Sequence, residues 1–261
     1  MAITKQERDT ILDELELLLG QERWAEGLGL LEQLPEDDSM RYLQAVDIWI
    51  GMGIKNRAKA MLDRGRKLVG EDDPLVALLT ARMELAEWNF GGARTALEMV
   101  PKKQRDADLE AEFALLCDLE GDHNQAVKHM ARAHRLDNEV FAKPVQVDPT
   151  EFLRMVDHAS QSLQPELQEA LINMTLTTRP MPTAELVGGS EAGNAPDSLS
   201  FCDCLDPYKC AGGDHANYPH SIVMFQRNHE RKVTSVEGLQ HLVNASLQRS
   251  VQRAMGLDAE I

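Results

Sequence analysis

Four small residues at near-constant spacing constrain this chain more than any other feature. Gly27, Ala58, Ala93 and Ala126 stand 31, 35 and 33 residues apart. Each follows a short polar turn: "GQERW", "GIKNR", "AEWNF" and "GDHNQ". Before and after each turn, apolar residues recur at intervals of three and four, as in "ARTALEMVP" and "AVKHMARAHRLD". That spacing places them on one face of a helix, so residues 6 to 141 read as a series of helix pairs. A small residue at one fixed point lets the two helices of a pair approach closely and lets the next pair stack on them. A period near 34 residues with two helices per unit is the signature of a helical repeat array.

The last unit, "DLEAEFALLCDLEGDHNQAVKHMARAHRLDN", resembles a tetratricopeptide repeat, with Leu115, Leu116, Gly121, Ala126 and Ala133 at that family's positions. Four pairs are counted. The first is the least regular, because it lacks a small residue late in its second helix. The resemblance implies an α-solenoid whose groove binds a peptide or partner protein. Trp24, Trp49 and Trp88 are candidates to line that groove. The competing expectation is that each is core, since aromatic rings bury large areas.

"LDNEVFAKPVQVDPTEF" breaks the helical pattern. Pro144 and Pro149 flank an extended piece, and Asp148-Pro149-Thr150 suits a helix start. The expected domains are therefore residues 1–143, the helical repeats, and 149–261, a small α+β domain. In the second, "PTEFLRMVDHASQSLQPELQEALI" reads as an amphipathic helix interrupted at Pro165, and "INMTLTTRP" alternates like a strand. Residues 180 to 220 read as long loops. "HSIVMFQRNH" is the clearest strand, and "SVEGLQHLVNASLQRSVQRAMGL" is a closing helix with a terminal glycine. "QRNHERK" at 226–232 is locally basic, read as a solvated turn or a contact for an acidic partner. His241 on the closing helix reads as a surface or packing residue.

This order of elements resembles a bacterial family of small zincin-like metallopeptidases, in which a strand is followed by a long helix ending in HExxH and an aromatic-Gly-Leu-Asp anchor. Here the anchor is Met255-Gly256-Leu257-Asp258. Counting back from it puts Arg249 and Arg253 at the two metal-binding histidines and Ser250 at the catalytic glutamate. In an HExxH helix two imidazoles four residues apart grip one zinc ion, and the glutamate takes a proton from the bound water. A guanidinium has no lone pair for a metal and keeps its charge. The resemblance therefore implies a degenerate domain without its peptidase chemistry. Arg249 and Arg253 are then candidates to pair with Asp258, Glu260 or a partner's acidic groups.

"FCDCLDPYKCAGGDHANYPH" gathers Cys202, Cys204, Cys210, His215 and His220. These are enough soft ligands for a structural zinc ion, although the C-x-C spacing matches no standard zinc knuckle. Ordinary loop thiols are the alternative, and a disulfide requires an oxidising compartment.

Lys and Arg number 27 against 43 Asp and Glu, a net charge of −16. Split at position 148, both parts remain acidic, with 19 basic and 29 acidic residues before and 8 and 14 after. Such a balance argues against general binding to nucleic acid or anionic membranes. No apolar run approaches the roughly 20 residues of a membrane span, and the polar start is unlike a signal peptide, so the expected location is the cytoplasm. No phosphate-binding loop or nucleophile elbow is present. The sequence thus points to a mainly α protein, an α-solenoid of helix-turn-helix repeats followed by a small zincin-like α+β domain. It is read as a non-catalytic adaptor or scaffold for another protein. The alternative is a zinc-dependent metallopeptidase using the Cys/His cluster, and a third possibility is a scaffold unrelated to zincins.

Overall fold

The computed structural model describes residues 3–21, 23–141, 143–187, 196–204 and 220–257, with backbone alone at Cys204. The chain is mainly helical, with a small three-stranded mixed sheet in its C-terminal half. Internal contacts divide it into two compact units, Met1–Leu116 and Cys117–Ile261.

The first unit contains α1 (Lys5–Gly20), α2 (Trp24–Leu31), α3 (Met40–Gly51), α4 (Lys55–Val69), α5 (Pro74–Ala86) and α6 (Phe90–Glu98), and α7 (Ala107–Leu119) runs across the division. From α1 to α6, each helix packs on the next in sequence, and α3 also meets α5. Local signals fix the helix starts. Thr4 and Glu7 form a reciprocal cap on α1, Asp73 caps α5 with Pro74 in its first turn, and Asn89 caps α6.

The periodic small residues sit where helices cross. Gly27 on α2, Ala58 on α4 and Ala93 on α6 are all buried. A Cβ on Gly27 would stand 3.2 Å from both Ile48 Cδ1 and Leu15 Cδ1, so α2 lies wedged between α1 and α3. At Gly65 a Cβ would come within 2.4 Å of Leu43 Cδ2. Neither position has room for a larger side chain at its present spacing. The turns repeat as well. Gly53 and Trp88 both adopt positive φ (71° and 59°) one residue before an N-cap, as Gly121 does at 84° in the second unit.

One ion triad ties alternate helices together. Arg82 on α5 reaches Asp47 on α3 at 2.6 Å and Glu112 on α7 at 3.1 Å. Burial works against the Arg82 charge, but the two carboxylates outweigh it and hold the guanidinium above its ordinary pKa.

The second unit holds α8 (His123–Leu136), α9 (Pro149–Ser162), α10 (Pro165–Ile172), β1 (Thr175–Arg179), α11 (Ala184–Val187), β2 (Ser200–Cys204), β3 (His220–Phe225), α12 (Gln226–Arg231) and α13 (Val236–Ala254). β3 is central, parallel to β1 and antiparallel to β2. Leu239, Val243, Leu247 and Val251 of α13 recur at three- and four-residue spacing. They pack with Phe152, Met155 and Val156 of α9 and with Ile222 and Met224 of β3 into one core. Each such aliphatic side chain contributes about 1.5–3 kcal/mol by leaving water, so α13 is pinned along its length.

Two expectations change here. β2 lies inside the stretch expected to be loop. Ser200–Cys204 has only Phe201 as a large apolar residue, and pairing with β3 rather than its own composition makes it a strand. "QRNHER" is not a solvated turn but the short helix α12, in which Gln226, Asn228, His229 and Glu230 are buried.

Candidate functional site

Most buried polar atoms of α12 are matched, although Asn228 Oδ1 and Arg231 Nε have no hydrogen-bond partner among the described residues. Gln226 Nε2 donates to the Val147 carbonyl at 2.9 Å and to Glu230 Oε1 at 2.8 Å, while Val147 N–H donates to the same Glu230 oxygen at 3.0 Å. The other Glu230 oxygen accepts from Arg227 at 2.7 Å. Arg231 pairs with Asp118, which also holds His123 Nδ1 at 2.6 Å. Asn228 donates to the carbonyls of Pro196 and Ser198. The helix thus anchors the end of α7, the start of α8, the extended segment around Val147 and the approach to β2.

His229, also on α12, begins a second buried chain. Its Nδ1 lies 2.8 Å from the Phe225 carbonyl, which can only accept, so Nδ1 carries the proton. Nε2 is then the acceptor of a hydrogen bond donated by the Ser246 hydroxyl at 2.6 Å. Ser250 Oγ donates to the Ser246 carbonyl at 2.9 Å, leaving Ser200 Oγ to donate to Ser250 Oγ at 2.7 Å. The imidazole is fully buried with its ring 5.5 Å from that of Phe152. Burial, helped by the Lys232 charge and opposed by the bond to Phe225, lowers its pKa to about 4. A serine hydroxyl donating to a neutral imidazole has the form of a nucleophile–base pair. Here His229, Ser246 and Ser250 are all sealed from solvent, so the chain holds α13 to α12 and β2.

Ser250 is the residue that the sequence resemblance sets in place of a catalytic glutamate. It faces the interior, whereas Arg249 and Arg253 are exposed on the adjoining side of α13. Arg249 makes no hydrogen bond or ion pair among the described residues; Asp258 and Glu260, the expected internal partners, lie outside them. Helix geometry explains the split, since residues 249 and 253 share a face and residue 250 is turned away by about 100°.

The Cys/His cluster is described in part. Cys202 is half-buried against the core beside α13, and His220 is buried at the start of β3. The strand register pairs Cys204 with His220 and Cys202 with Ile222. Cys210 and His215 lie outside the described residues, as does the Cys204 side chain. Among the described residues no group of three or more His, Cys, Asp or Glu side chains is arranged to hold a metal ion.

All three tryptophans are partly exposed. Trp24 packs against the core of α1, α2 and α3, its ring 3.0 Å from where a Cβ on Gly51 would sit. Trp49 bridges that core and the next, formed by α3, α4 and α5, and lies beneath the Arg57 guanidinium at 5.6 Å. Trp88 occupies the turn before α6, with its ring 6.1 Å from Phe90. Sequence reasoning missed Arg57 and Arg64, the latter 5.8 Å over the Tyr42 ring. The signal was present: Tyr42 and Trp49 are seven residues apart, as are Arg57 and Arg64.

No protein-family model, curated protein or solved structure matches this chain. Among the described residues, no helix is long and apolar enough to cross a membrane.

Proposed function

We propose that this protein is a non-catalytic cytoplasmic adaptor whose helical repeats hold a segment of another protein, while its sheet-containing unit serves as a structural or binding module resembling a degenerate zincin. The observation that carries this is the state of the tryptophans. Trp24, Trp49 and Trp88 come from three successive helix pairs, and each keeps part of its ring in water although every pair has apolar core nearby. Partly exposed tryptophans on a rigid scaffold are the residues that most often dominate protein–protein binding energy. Arg249 and Arg253 in solvent, with Ser250 buried in a hydrogen-bonded chain, support the non-catalytic part of the reading.

The test is capture of partners from the native host by the full chain, compared with Trp49→Ala and Trp88→Ala, alongside a casein-cleavage assay with and without chelator. A partner retained by the full chain and lost with the tryptophan variants is the expected result. Chelator-sensitive cleavage, or capture indifferent to both tryptophans, overturns the proposal.

A further inference from the structure

We propose that the outer face of α4 docks an acidic segment of a partner protein, with Arg57 and Arg64 as its paired anion receptors. This rests on the adaptor reading and gives its partner a chemistry.

Charge comes first. Within its 15 residues α4 carries Lys55, Arg57, Lys59, Arg64, Arg66 and Lys67 against one carboxylate, Asp63. Elsewhere acidic residues outnumber basic ones 42 to 21. The helix is therefore basic in an otherwise acidic chain, with Arg57 and Arg64 together on one flank and Lys55 and Lys59 on the other. Lys55, Arg57, Lys59, Arg64 and Lys67 are exposed, and none forms an ion pair among the described residues.

Placement comes second. Lys55 and Arg57 stand in the first turn of α4, where no acidic residue balances them and the N-cap, Ile54, offers no side-chain bond. The helix dipole disfavours cations at this end. Local folding energetics therefore do not account for these charges.

Preorganisation comes third. The Arg57 and Arg64 guanidiniums lie over the rings of Trp49 and Tyr42, at 5.6 Å and 5.8 Å. Trp49 is held between two apolar clusters, and the Tyr42 hydroxyl donates to the Glu36 carbonyl at 3.0 Å. A guanidinium held over a ring without an ion-pair partner keeps N–H groups for a carboxylate, which it can grip with two parallel bonds. The two receptors are seven residues apart, two helical turns or about 10 Å. Carboxylates three residues apart in a polyproline II segment, at about 9 Å, match that spacing on one face. A long polyanion such as nucleic acid would reach beyond this short helix on a chain whose remaining residues are net acidic; a short acidic segment need not.

The full chain should be titrated against fluorescein-labelled peptides about 15 residues long: a Glu-Pro-Pro repeat, the same peptide with Gln for Glu, and an oligothymidylate of equal charge. The glutamate peptide is expected to bind in a salt-sensitive way, at least about tenfold more tightly than either control. R57Q/R64Q should weaken it about tenfold or more, R57K/R64K should fall between, and K102Q/K103Q should leave it unchanged. Circular dichroism confirms that each variant is folded. Undetectable binding at about 1 mM, preference for the oligonucleotide, or indifference to R57Q/R64Q overturns the proposal. So does a concentration-dependent dimer abolished by R57Q/R64Q, which would give the face to a second copy. A host partner captured equally by wild type and R57Q/R64Q would leave the adaptor reading standing and sink this inference alone.

Discussion

His229 Nε2 accepts from Ser246 Oγ at 2.6 Å while Nδ1 is committed to the Phe225 carbonyl, so both ring nitrogens are spent on the neutral imidazole. Protonation puts an unpaired charge beside the Phe152 ring, with Lys232 adding repulsion. The folded-state pKa of about 4 lies below the ordinary 6.5. Between those values the unfolded chain binds more protons, so stability is intact above about pH 6.5 and falls as pH drops toward 4. The expected loss is on the order of 3 kcal/mol. Urea melts of wild type and His229→Gln across this range check it. The variant should be weaker at neutral pH and show a shallower decline on acidification; parallel curves would refute the assignment.

Ser250 is buried in contact with Ser200 Oγ and the Ser246 carbonyl, whereas Arg249 and Arg253 face water. Installing an HExxH pattern at residues 249–253 therefore affects its positions unequally. Arg249→His and Arg253→His should each shift stability by no more than about 0.5 kcal/mol. Ser250→Glu buries a carboxylate without a counter-charge and should cost about 3 kcal/mol or more. Denaturant midpoints of the three single variants decide it, and a well-tolerated Ser250→Glu would mean that this face of α13 opens to solvent.

The N-caps of α4, α6 and α8 differ. Asn89 and Asp122 cap α6 and α8 with their side chains, but Ile54 at the same point of α4 makes no such bond and is 40% exposed. Ile54→Asp should add about 1 kcal/mol through the cap and the helix dipole. Thermal melts provide the measurement. The same change should weaken acidic-peptide binding by placing a carboxylate beside Lys55 and Arg57.

Arg82 serves Asp47 and Glu112 together, and about a third of its side chain meets solvent. Arg82→Met keeps much of the packing but takes the shared cation away from a partly exposed carboxylate, Asp47, and a buried one, Glu112. Solvent screening moderates the cost, so about 1–2 kcal/mol is expected. Adding Asp47→Asn and Glu112→Gln should recover part of it. Strict additivity of the three changes in a mutant cycle would show that the triad is not coupled.

The mainly helical fold with a small α+β part was legible because it rests on strong local signals. Gly27 marks a real close approach of helices, Ala58 and Ala93 are buried, Pro149 and Pro165 open real helices, and β1 and β3 follow their alternating or apolar runs. β2 was not legible, because its pairing depends on β3 and not on its own residues. α12 was missed for a related reason. "QRNHER" carries no apolar stripe, and only partners distant in sequence, Val147, Asp118 and Ser246, explain why it is inside. Candidate binding residues were half visible: the tryptophans stood out singly, whereas the Arg57 and Arg64 stacks needed the antiparallel register of α3 and α4.

The burial of α12 also bears on how the second unit avoids wrong structures. Greasy side chains tolerate sliding, since one aliphatic neighbour serves nearly as well as another. Gln226, Glu230 and His229 do not, because a shift of one position would strand a carboxylate or an imidazole without its mate. The penalty for misalignment is thereby concentrated in six residues, which act as the combination lock of an otherwise permissive interior.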